Sequence, residues 1–445
     1  MIKRLAVIFK TPAARDGTLV IGAQGVAALI ALLIDAFLFR TLAKAEQGAL
    51  SSGLALSATL LQASDLGLAL TTIRIGAKYI ADGQREKAAA LFRATLAARI
   101  VFAILAIAAA TFFTGAIARD VLSMANGRDV VICAALGVLG NALVWWGVDV
   151  AQARRAFKSY AIQQIAAALA KALAVVLVTG LFLNLLTEHA ATSILMAIAL
   201  GNLGAGAFSL FLSRGAVRTT QTKIALNSGE SASTHIRLFE FGAYACAVSA
   251  LTALSANVDV LMVQHFLREE DTAVFACARR LAMALNLLAT ASITVLLPRA
   301  AALDSPAACA AYVRKALKAG VALAIVTAGG LALAASIFVP LFGGPKYTAS
   351  IPILQWLCLA HGIGIVLTPL TLVFYPLRRE GMLVFLNALQ LGAHVALGIW
   401  LTPSFKLEGA AWAMIGAKVA VAMATIFLLV WAFKKEGQSA FSPHL

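Results

Sequence analysis

Long apolar stretches recur along the whole chain, separated by short polar segments. A helix of about 20 apolar residues crosses the hydrocarbon core of a membrane, which is about 30 Å thick. The sequence predicts twelve spans of this kind, at about 18–39, 48–73, 97–118, 130–150, 160–183, 191–213, 239–263, 273–297, 318–341, 350–374, 383–402 and 409–432. Because the stretches are continuously apolar and longer than the alternating segments of a membrane β-barrel, each is predicted to be a helix. The expected fold class is an all-α integral membrane protein.

Composition supports a protein that lives in a bilayer. Of its 445 residues, 61% are hydrophobic and 13% are charged, and the mean hydropathy is +0.90. Ordinary globular domains carry about 25% charged residues. The N-terminal segment MIKRLAVIFKTPAARDG has too short an apolar stretch for the core of a signal peptide. It is expected to be a basic, amphipathic lead-in that stays on the protein.

The net charge of +16 is explained by the positions of the basic residues. Most of the 36 Lys and Arg residues fall on the side of the membrane that holds the N-terminus and the even-numbered connections. The opposite side holds few of them: Arg40, Lys44, Arg119, Arg128, Arg268, Lys346 and Lys406. This bias follows the positive-inside rule and predicts that both termini are cytoplasmic. The charge therefore reflects membrane topology and attraction to anionic lipids, and no nucleic-acid partner is expected.

A polar segment near the middle of the chain divides six predicted spans from six. It covers residues 214–238 and contains TTQTKIALNSGESASTH, a composition typical of a linker. The sequence therefore predicts an N-terminal six-helix lobe over residues 1–213 and a C-terminal six-helix lobe over residues 239–445.

The two halves resemble each other in hydropathy. Asp35 aligns with Asp259 at an offset of 224 residues, and Arg93 aligns with Arg314 at an offset of 221. With six spans in each half, both copies insert in the same orientation. Their symmetry axis is then a pseudo-two-fold along the membrane normal, the arrangement of transporters built from parallel repeats.

Several predicted spans carry polar residues along one face. Residues spaced three, four or seven apart share a face of a helix. These faces hold Gln62, Asp65 and Thr72; Asn141, Trp145 and Asp149; Tyr160, Gln164 and Lys171; Arg279 and Asn286 with the adjacent Arg280; Asn387, Gln390 and His394; and Lys418. Together the polar faces predict a hydrated central cavity between the two lobes.

Depth in the membrane ranks the charged residues. Lys171 and Lys418 lie near the centres of their predicted spans, where a charge costs at least about 2.5–3.5 kcal/mol. Such a charge needs a partner, a cavity or a ligand, and cavity lining is the preferred interpretation for both lysines. Residues close to the predicted cytoplasmic boundary could instead extend to water: Arg74, Arg99 and Asp149. Four others fall in the outer third: Asp35, Asp259, Arg279 and Arg280.

The acidic residues and the histidine leave two interpretations open. Asp65 is expected either to form an interhelical ion pair, with Arg74 or Lys171, or to contact a ligand or ion. His394 is expected to be a hydrogen-bonded polar residue more often than a proton carrier. The candidates for an ion-coupling or ion-pair role are Asp35, Asp65, Asp149 and Asp259.

The excess of positive charge within the spans favours an anionic substrate. Lys and Arg offer charge-assisted hydrogen bonds to phosphate and carboxylate groups. The candidates for lining a substrate cavity are Lys171, Lys418, Arg279, Arg280, Gln164, Asn286 and His394. No Walker-type motif is present, so nucleotide hydrolysis is not expected to drive transport. No cofactor, metal site or disulfide is expected, because the five cysteines lack metal-like spacing, and the glycines of GNLGAG (201–206) are expected to serve close helix packing.

Two stretches resemble a known family. SDLGLALTTIRIGAKYIADGQREKAAALFRATLAAR (64–99) resembles the region of the second and third helices in the Wzx-like O-antigen flippases. LFGGPKYTASIPILQWL (341–357) resembles the connection between helices 9 and 10 in the same family. These polysaccharide-export proteins belong to the multidrug/oligosaccharidyl-lipid/polysaccharide (MOP) superfamily, and the resemblance extends over most of the chain through the six-plus-six plan.

The resemblance implies a V-shaped pair of lobes around a central cavity that opens to each side of the membrane in turn. It implies a flippase that moves polyprenyl-pyrophosphate-linked oligosaccharide from the cytoplasmic to the periplasmic leaflet of the bacterial inner membrane. Cationic cavity residues then hold the pyrophosphate, and Lys171, Lys418, Arg279 and Arg280 are the positions that could do so. Membrane lipids, a polysaccharide polymerase and other assembly proteins are the expected partners.

Three other functions remain open from the sequence. An H⁺- or Na⁺-coupled drug or metabolite antiporter would share the fold and would use Asp35, Asp65 and Asp259 as ion sites. A major-facilitator transporter would share the number of spans, but IGAKYIADGQREK (75–87) does not match that family's charged turn after helix 2. A scaffold, membrane glycosyltransferase or polymerase is disfavoured because the predicted outer loops are short, and no enzymatic activity is expected.

Overall fold

The computed structural model describes residues 12–124, 127–182, 189–217, 250–251, 254–286, 296, 306–374 and 381–439. Within these ranges every regular element is helical. The prediction of an all-helical protein with many membrane spans is confirmed.

Seven long helices follow one another in the N-terminal half. They are α1 (Pro12–Thr41), α2 (Lys44–Asp65), α3 (Leu68–Ala81), α4 (Arg85–Phe112), α5 (Gly127–Ala153), α6 (Phe157–Phe182) and α7 (Ala190–Val217). A short helical piece, Thr114–Ala116, and a π-helical turn, Ile117–Leu122, follow α4.

The C-terminal half continues with α8 to α13. They are α8 (254–266), α9 (Glu269–Ala282), α10 (Pro306–Ala324), α11 (Ala335–Gly343), α12 (Ser350–Thr371) and α13 (Gly381–Ser439). A π-helical turn, Ile325–Gly329, and the short helix Gly330–Leu333 join α10 to α11. Helix α13 is interrupted at Lys406, where φ is 55° and ψ is −133°.

The chain divides into two compact units. The first comprises the described parts of residues 1–38 and 52–253, and the second comprises residues 39–51 and the described residues from 254 onward. Residues 39–51 are held in the second unit by specific contacts. The ring of Phe39 lies 5.3 Å from the rings of Phe342 and Tyr347. Lys346 Nζ donates to the carbonyl oxygen of Leu42 at 2.5 Å, and burial together with the charge of Lys44 lowers the pKa of Lys346.

Eight helices among the described residues are long and apolar enough to cross a membrane, or nine if the bent pair α2–α3 crosses as one span. The 52-residue stretch Gly381–Ala432 counts once here but bends at Lys406, between the predicted spans 383–402 and 409–432. Parts of the predicted spans 239–263 and 273–297, and the linker beyond Val217, lie outside the described residues.

Helix α4 begins well before the predicted start of its span. The sequence placed this start near residue 97, whereas the helix begins at Arg85. The predicted span began after the basic residues because these were assigned to the cytoplasmic side of the membrane. A membrane helix can continue beyond the hydrocarbon, and Arg85, Lys87 and Arg93 lie on this continuation.

A break in the helix recurs at the repeat offset. Phe113 (φ −90°, ψ 14°) interrupts the helix after α4, and Ala334 (φ −86°, ψ 7°) interrupts the helix before α11. These residues are 221 positions apart, which is the offset between Arg93 and Arg314. The shared backbone irregularity supports a common plan for the two halves.

Glycines allow α5, α6 and α7 to pack closely in the first unit. A Cβ at Gly206 would lie 2.9 Å from the carbonyl oxygen of Gly140, and one at Gly201 would lie 2.9 Å from that of Ala170. A Cβ at Gly204 would meet nothing within 4 Å. The packing role predicted for GNLGAG is therefore correct for Gly201 and Gly206 and wrong for Gly204, which lies on the open side of α7.

Gly206→Val is expected to destabilise the first unit, because the new side chain would press on the backbone of α5. Overpacking of this kind costs about 1–3 kcal/mol or more. Gly204→Val is the matched control on the same helix, and its melting midpoint should stay close to the wild-type value. Thermal unfolding of the purified protein in detergent checks both variants, and equal midpoints for the two would contradict the packing.

Candidate functional site

A buried charge cluster joins three helices of the first unit. Arg99 on α4 donates from Nη2 to Asp65 Oδ1 and to Asp149 Oδ2, each at 2.6 Å. Asp65 is the last residue of α2, and Asp149 lies near the end of α5. The side chains of Arg99, Asp65 and Asp149 are 3%, 10% and 12% exposed. We call these three residues the triad.

The triad corrects two predictions. An interhelical ion pair was one expectation for Asp65, but its partner is Arg99 and not Arg74 or Lys171. Arg99 and Asp149 do not extend to water, because both side chains are buried. The error follows from the late start assigned to the third span. With α4 beginning at Arg85, Arg99 lies 14 residues, or about 21 Å, along the helix.

The helix is interrupted directly after Asp65. Leu66 and Gly67 both have positive φ, at 44° and 75°, and α3 then starts at Leu68 with a bend of 45° from α2. A left-handed conformation is unfavourable for a leucine. The backbone N–H of Ala69 donates to Asp65 Oδ2 at 3.4 Å, so the same carboxylate contacts the start of the following helix.

A second group of polar side chains lies on α1, α5 and α6. Lys171 Nζ donates to Asn141 Oδ1 at 3.3 Å. The hydroxyl of Tyr160 accepts from Gln24 Nε2 at 2.9 Å and, more weakly, from Gln164 Nε2 at 3.5 Å. The sequence did not select Gln24, although a lone amide in an apolar helix is a signal for such a contact. Two predicted cavity residues of α6 therefore have polar partners: Lys171 contacts the amide of Asn141, and Gln164 contacts the hydroxyl of Tyr160.

In the second unit, Arg279 is held by several acceptors. Its Nε donates to Asp259 Oδ2 at 2.8 Å, and its Nη2 donates to Ala256 O at 2.5 Å and to Asn257 Oδ1 at 3.3 Å. One carboxylate therefore balances the charge of Arg279, and the other two acceptors are neutral oxygens. Arg280 is half-buried beside it, and Asp35 is half-buried in α1.

Lys418 presents a different electrostatic situation. It is half-buried on α13, and its Nζ donates to the neutral Gln390 Oε1 at 3.0 Å. Within the described part of the chain no carboxylate forms an ion pair with it. Helix α12 passes close by at Gly364, where a Cβ would lie 4.0 Å from Nζ. A lysine ammonium that donates to a neutral amide can also donate a charge-assisted hydrogen bond to an anionic oxygen.

Two histidines lie near Lys418. His361 Nδ1 is 3.0 Å from Asn286 Oδ1, and it precedes Gly364 by three residues on the same face of α12. His394 follows Gln390 by one turn and is 3% exposed, and its Nε2 has no hydrogen-bond partner within the described ranges. The expectation of a hydrogen-bonded His394 stays a prediction. The sequence missed His361, whose only signal was its position in an apolar span.

A cavity in the first unit lies away from these charges. It has a volume of about 610 Å³ and is lined by Asp129, His189 and Thr192 among others. Asp129 and Asp149 are at opposite ends of α5, 20 residues or about 30 Å apart. No group of three His, Cys, Asp or Glu residues that could hold a metal ion occurs in the described ranges.

Comparison with known proteins identifies a family whose profile matches this chain. The profile of a protein family described as polysaccharide biosynthesis protein matches residues 13–303, which is more than half of the chain. No curated protein sequence matches the chain.

Solved structures share the fold at low sequence identity. The lipid II flippase MurJ in an inward closed conformation has a TM-score of 0.71 and 10% identity, and the match covers 94% of this chain and 89% of that one. An inward-facing multidrug resistance MATE transporter of the MOP superfamily has a TM-score of 0.60 and 14% identity, with 94% and 100% covered. A MOP superfamily transporter from Pyrococcus furiosus, whose binding pocket is described as reversed in polarity, has a TM-score of 0.58 and 14% identity, with 94% of each chain covered.

Proposed function

The chain belongs to the polysaccharide biosynthesis protein family, and from this premise we propose that it flips lipid-linked oligosaccharide repeat units across a bacterial cytoplasmic membrane. It is a multi-pass membrane transporter with the MOP superfamily fold and is not an enzyme. The cargo in this proposal is a polyprenyl-pyrophosphate-linked oligosaccharide, which moves from the cytoplasmic to the periplasmic leaflet for surface polysaccharide export.

The observation that carries the proposal is the charge of Lys418, which has no carboxylate partner among the described residues. A charge this deep in an apolar helix is costly unless something binds it. Its contact is a neutral amide oxygen, and α12 passes close to Nζ at a glycine, Gly364. A pyrophosphate is an anion of matching chemistry, since lysine binds phosphate as a point charge. Lys171 has a comparable amide contact in the first unit.

The other cavity candidates have supporting parts in this proposal. Arg280, Gln164, Asn286 and His394 supply hydrogen bonds to the diphosphate and the sugars. Arg279 acts less directly, because Asp259 already balances its charge.

The proposal includes the finer architecture expected from the sequence. Twelve spans form two six-helix lobes, over residues 1–213 and 239–445, joined by a cytoplasmic linker at 214–238. Both termini are cytoplasmic, and the lobes provide alternating access to a cationic central cavity. The excess of basic residues on the predicted cytoplasmic side supports this topology.

A deletion strain without a second flippase tests the proposal. Complete repeat units on the polyprenyl carrier are expected to accumulate in extracted lipids, with loss of surface polymer, and the wild-type chain on a plasmid should reverse both effects. Unchanged surface polymer with no accumulation would reject the flippase and favour the antiporter alternative. Resistance to cationic drugs that depends on an ion gradient would then be the next measurement.

A further inference from the structure

The triad contains more acid than base. One guanidinium lies between two carboxylates, and both hydrogen bonds fall on the same nitrogen, Nη2. Arg99 Nε is buried and has no hydrogen-bond partner among the residues that the structure describes. With both carboxylates ionised, the triad therefore carries one excess negative charge in a site where all three side chains are buried. An uncompensated buried charge is unfavourable unless it is neutralised.

Within the described part of the chain, Arg99 is the one basic residue that forms an ion pair with Asp65 or Asp149. Arg99 and Asp65 are the charged groups that act on Asp149. The elements packed against α5 carry other charged or titratable groups, none of which acts on Asp149: Arg74, Lys78 and Tyr79 on α3; Arg85, Glu86, Lys87 and Arg93 on α4; Arg119 and Asp120 on the π-helical turn; Lys158, Tyr160 and Lys171 on α6; and Arg214 on α7. The Asp259–Arg279 pair, by contrast, is balanced one to one.

We propose that Asp65, Arg99 and Asp149 form a proton-binding site that takes up and releases one proton in each transport cycle. The proton binds to Asp149. Asp65 accepts a second hydrogen bond, from the backbone of Ala69, whereas the contact of Asp149 within the described residues is Arg99 alone. Hydrogen bonds stabilise the charged form of a carboxylate, so the carboxylate that accepts fewer of them is protonated more easily. Once Asp149 is protonated and neutral, the remaining charges are those of Asp65 and Arg99, which balance each other.

Protonation changes what holds the broken helix. With Asp149 charged, Arg99 is shared between α5 and the end of α2, directly before the bend at Leu66 and Gly67. With Asp149 neutral, Arg99 is free to pair fully with Asp65, and α5 loses its charged link to α4. The proton thus acts where α2 and α3 join. This coupling to transport rests on the proposed function, whereas proton binding itself does not.

Infrared spectroscopy of the purified full chain in lipid nanodiscs tests proton binding without any substrate. At neutral pH the wild-type chain is expected to show the carbonyl band of one protonated carboxyl group. Asp149→Asn should remove this band. Asp65→Asn should remove it too, because one carboxylate would then face one guanidinium and both would stay charged. Asp120→Asn, at the exposed Arg119–Asp120 pair, is the control and should keep the band. A band that persists in either triad variant, or no band in the wild type, would overturn the inference.

Flipping of polyprenyl-pyrophosphate oligosaccharide in proteoliposomes tests the coupling. A proton gradient is expected to change the wild-type rate severalfold, and Asp149→Asn should lose this response while its melting midpoint shows that it is folded. A wild-type rate indifferent to the gradient would overturn the coupling and leave the flippase standing. No flipping at all, with the infrared band behaving as expected, would reject the proposed function and leave the proton site standing.

Discussion

Arg99→Ala is expected to destabilise the first unit by about 3–5 kcal/mol, the cost of removing one partner of a buried ion pair. The substitution leaves Asp65 and Asp149 buried together without a cation. It also releases the end of α2 from α4 and α5, since Arg99 contacts both. Denaturant unfolding of the purified protein in detergent measures the effect, and the level of folded protein in the membrane should fall with it.

Two comparisons separate the charge from the bulk of Arg99. Arg119→Ala removes an arginine from an exposed pair and should change stability little, because surface ion pairs contribute weakly. Arg99→Met combined with Asp65→Asn and Asp149→Asn removes all three charges and should recover much of the lost stability. If Arg99→Ala unfolded at the wild-type denaturant concentration, the triad would have no role in holding these helices.

The sequence predicts the helical membrane fold well because the hydrophobic signal is strong in every span. The limits of α5, α6, α7 and α12 agree with the predicted spans to within a few residues, and α1 starts six residues before its predicted span. The repeat offset of 221 residues also recurs as a backbone break, at Phe113 and Ala334. Both features depend on local pattern, which a single sequence contains.

The sequence predicts the site less well because the contacts join distant positions. Asp65 and Arg99 are 34 residues apart, and Arg99 and Asp149 are 50 apart, so their pairing depends on how α2, α4 and α5 pack. Depth along a helix decided the ranking of charges, and an error in the start of α4 moved Arg99 to the wrong depth. One local signal was available: the glycine in SDLGL (64–68), within an apolar run, often marks a break.

Lys418 was selected from the sequence by its depth in the predicted span alone. Its position near the centre of a span identified a charge that needs a partner, and the structure gives it a neutral one, Gln390. Nothing in the sequence indicated that His361 and His394 lie on the two helix faces near it. Such convergence is set by the packing of α12 and α13.

Lys418→Ala is expected to reduce flipping about tenfold to hundredfold, because a hydrogen bond to a charged group contributes about 1.5–3 kcal/mol. Removing the ammonium takes away the charge that the pyrophosphate would meet, whereas Gln390 alone offers only a neutral amide. The measurement is the amount of polyprenyl-pyrophosphate-linked oligosaccharide that accumulates in the complemented deletion strain, together with surface polymer. Lys171→Ala should act in the same direction.

Lys418→Arg keeps the positive charge with a different shape and should retain part of the activity, since arginine also binds phosphate. Lys158→Ala removes an exposed lysine of α6 and should export polymer at the wild-type level. Membrane abundance of each variant separates lost transport from lost folding. Full export by Lys418→Ala at normal abundance would show that the charge does not contact the cargo, because a bound pyrophosphate cannot lose its cation without weaker binding.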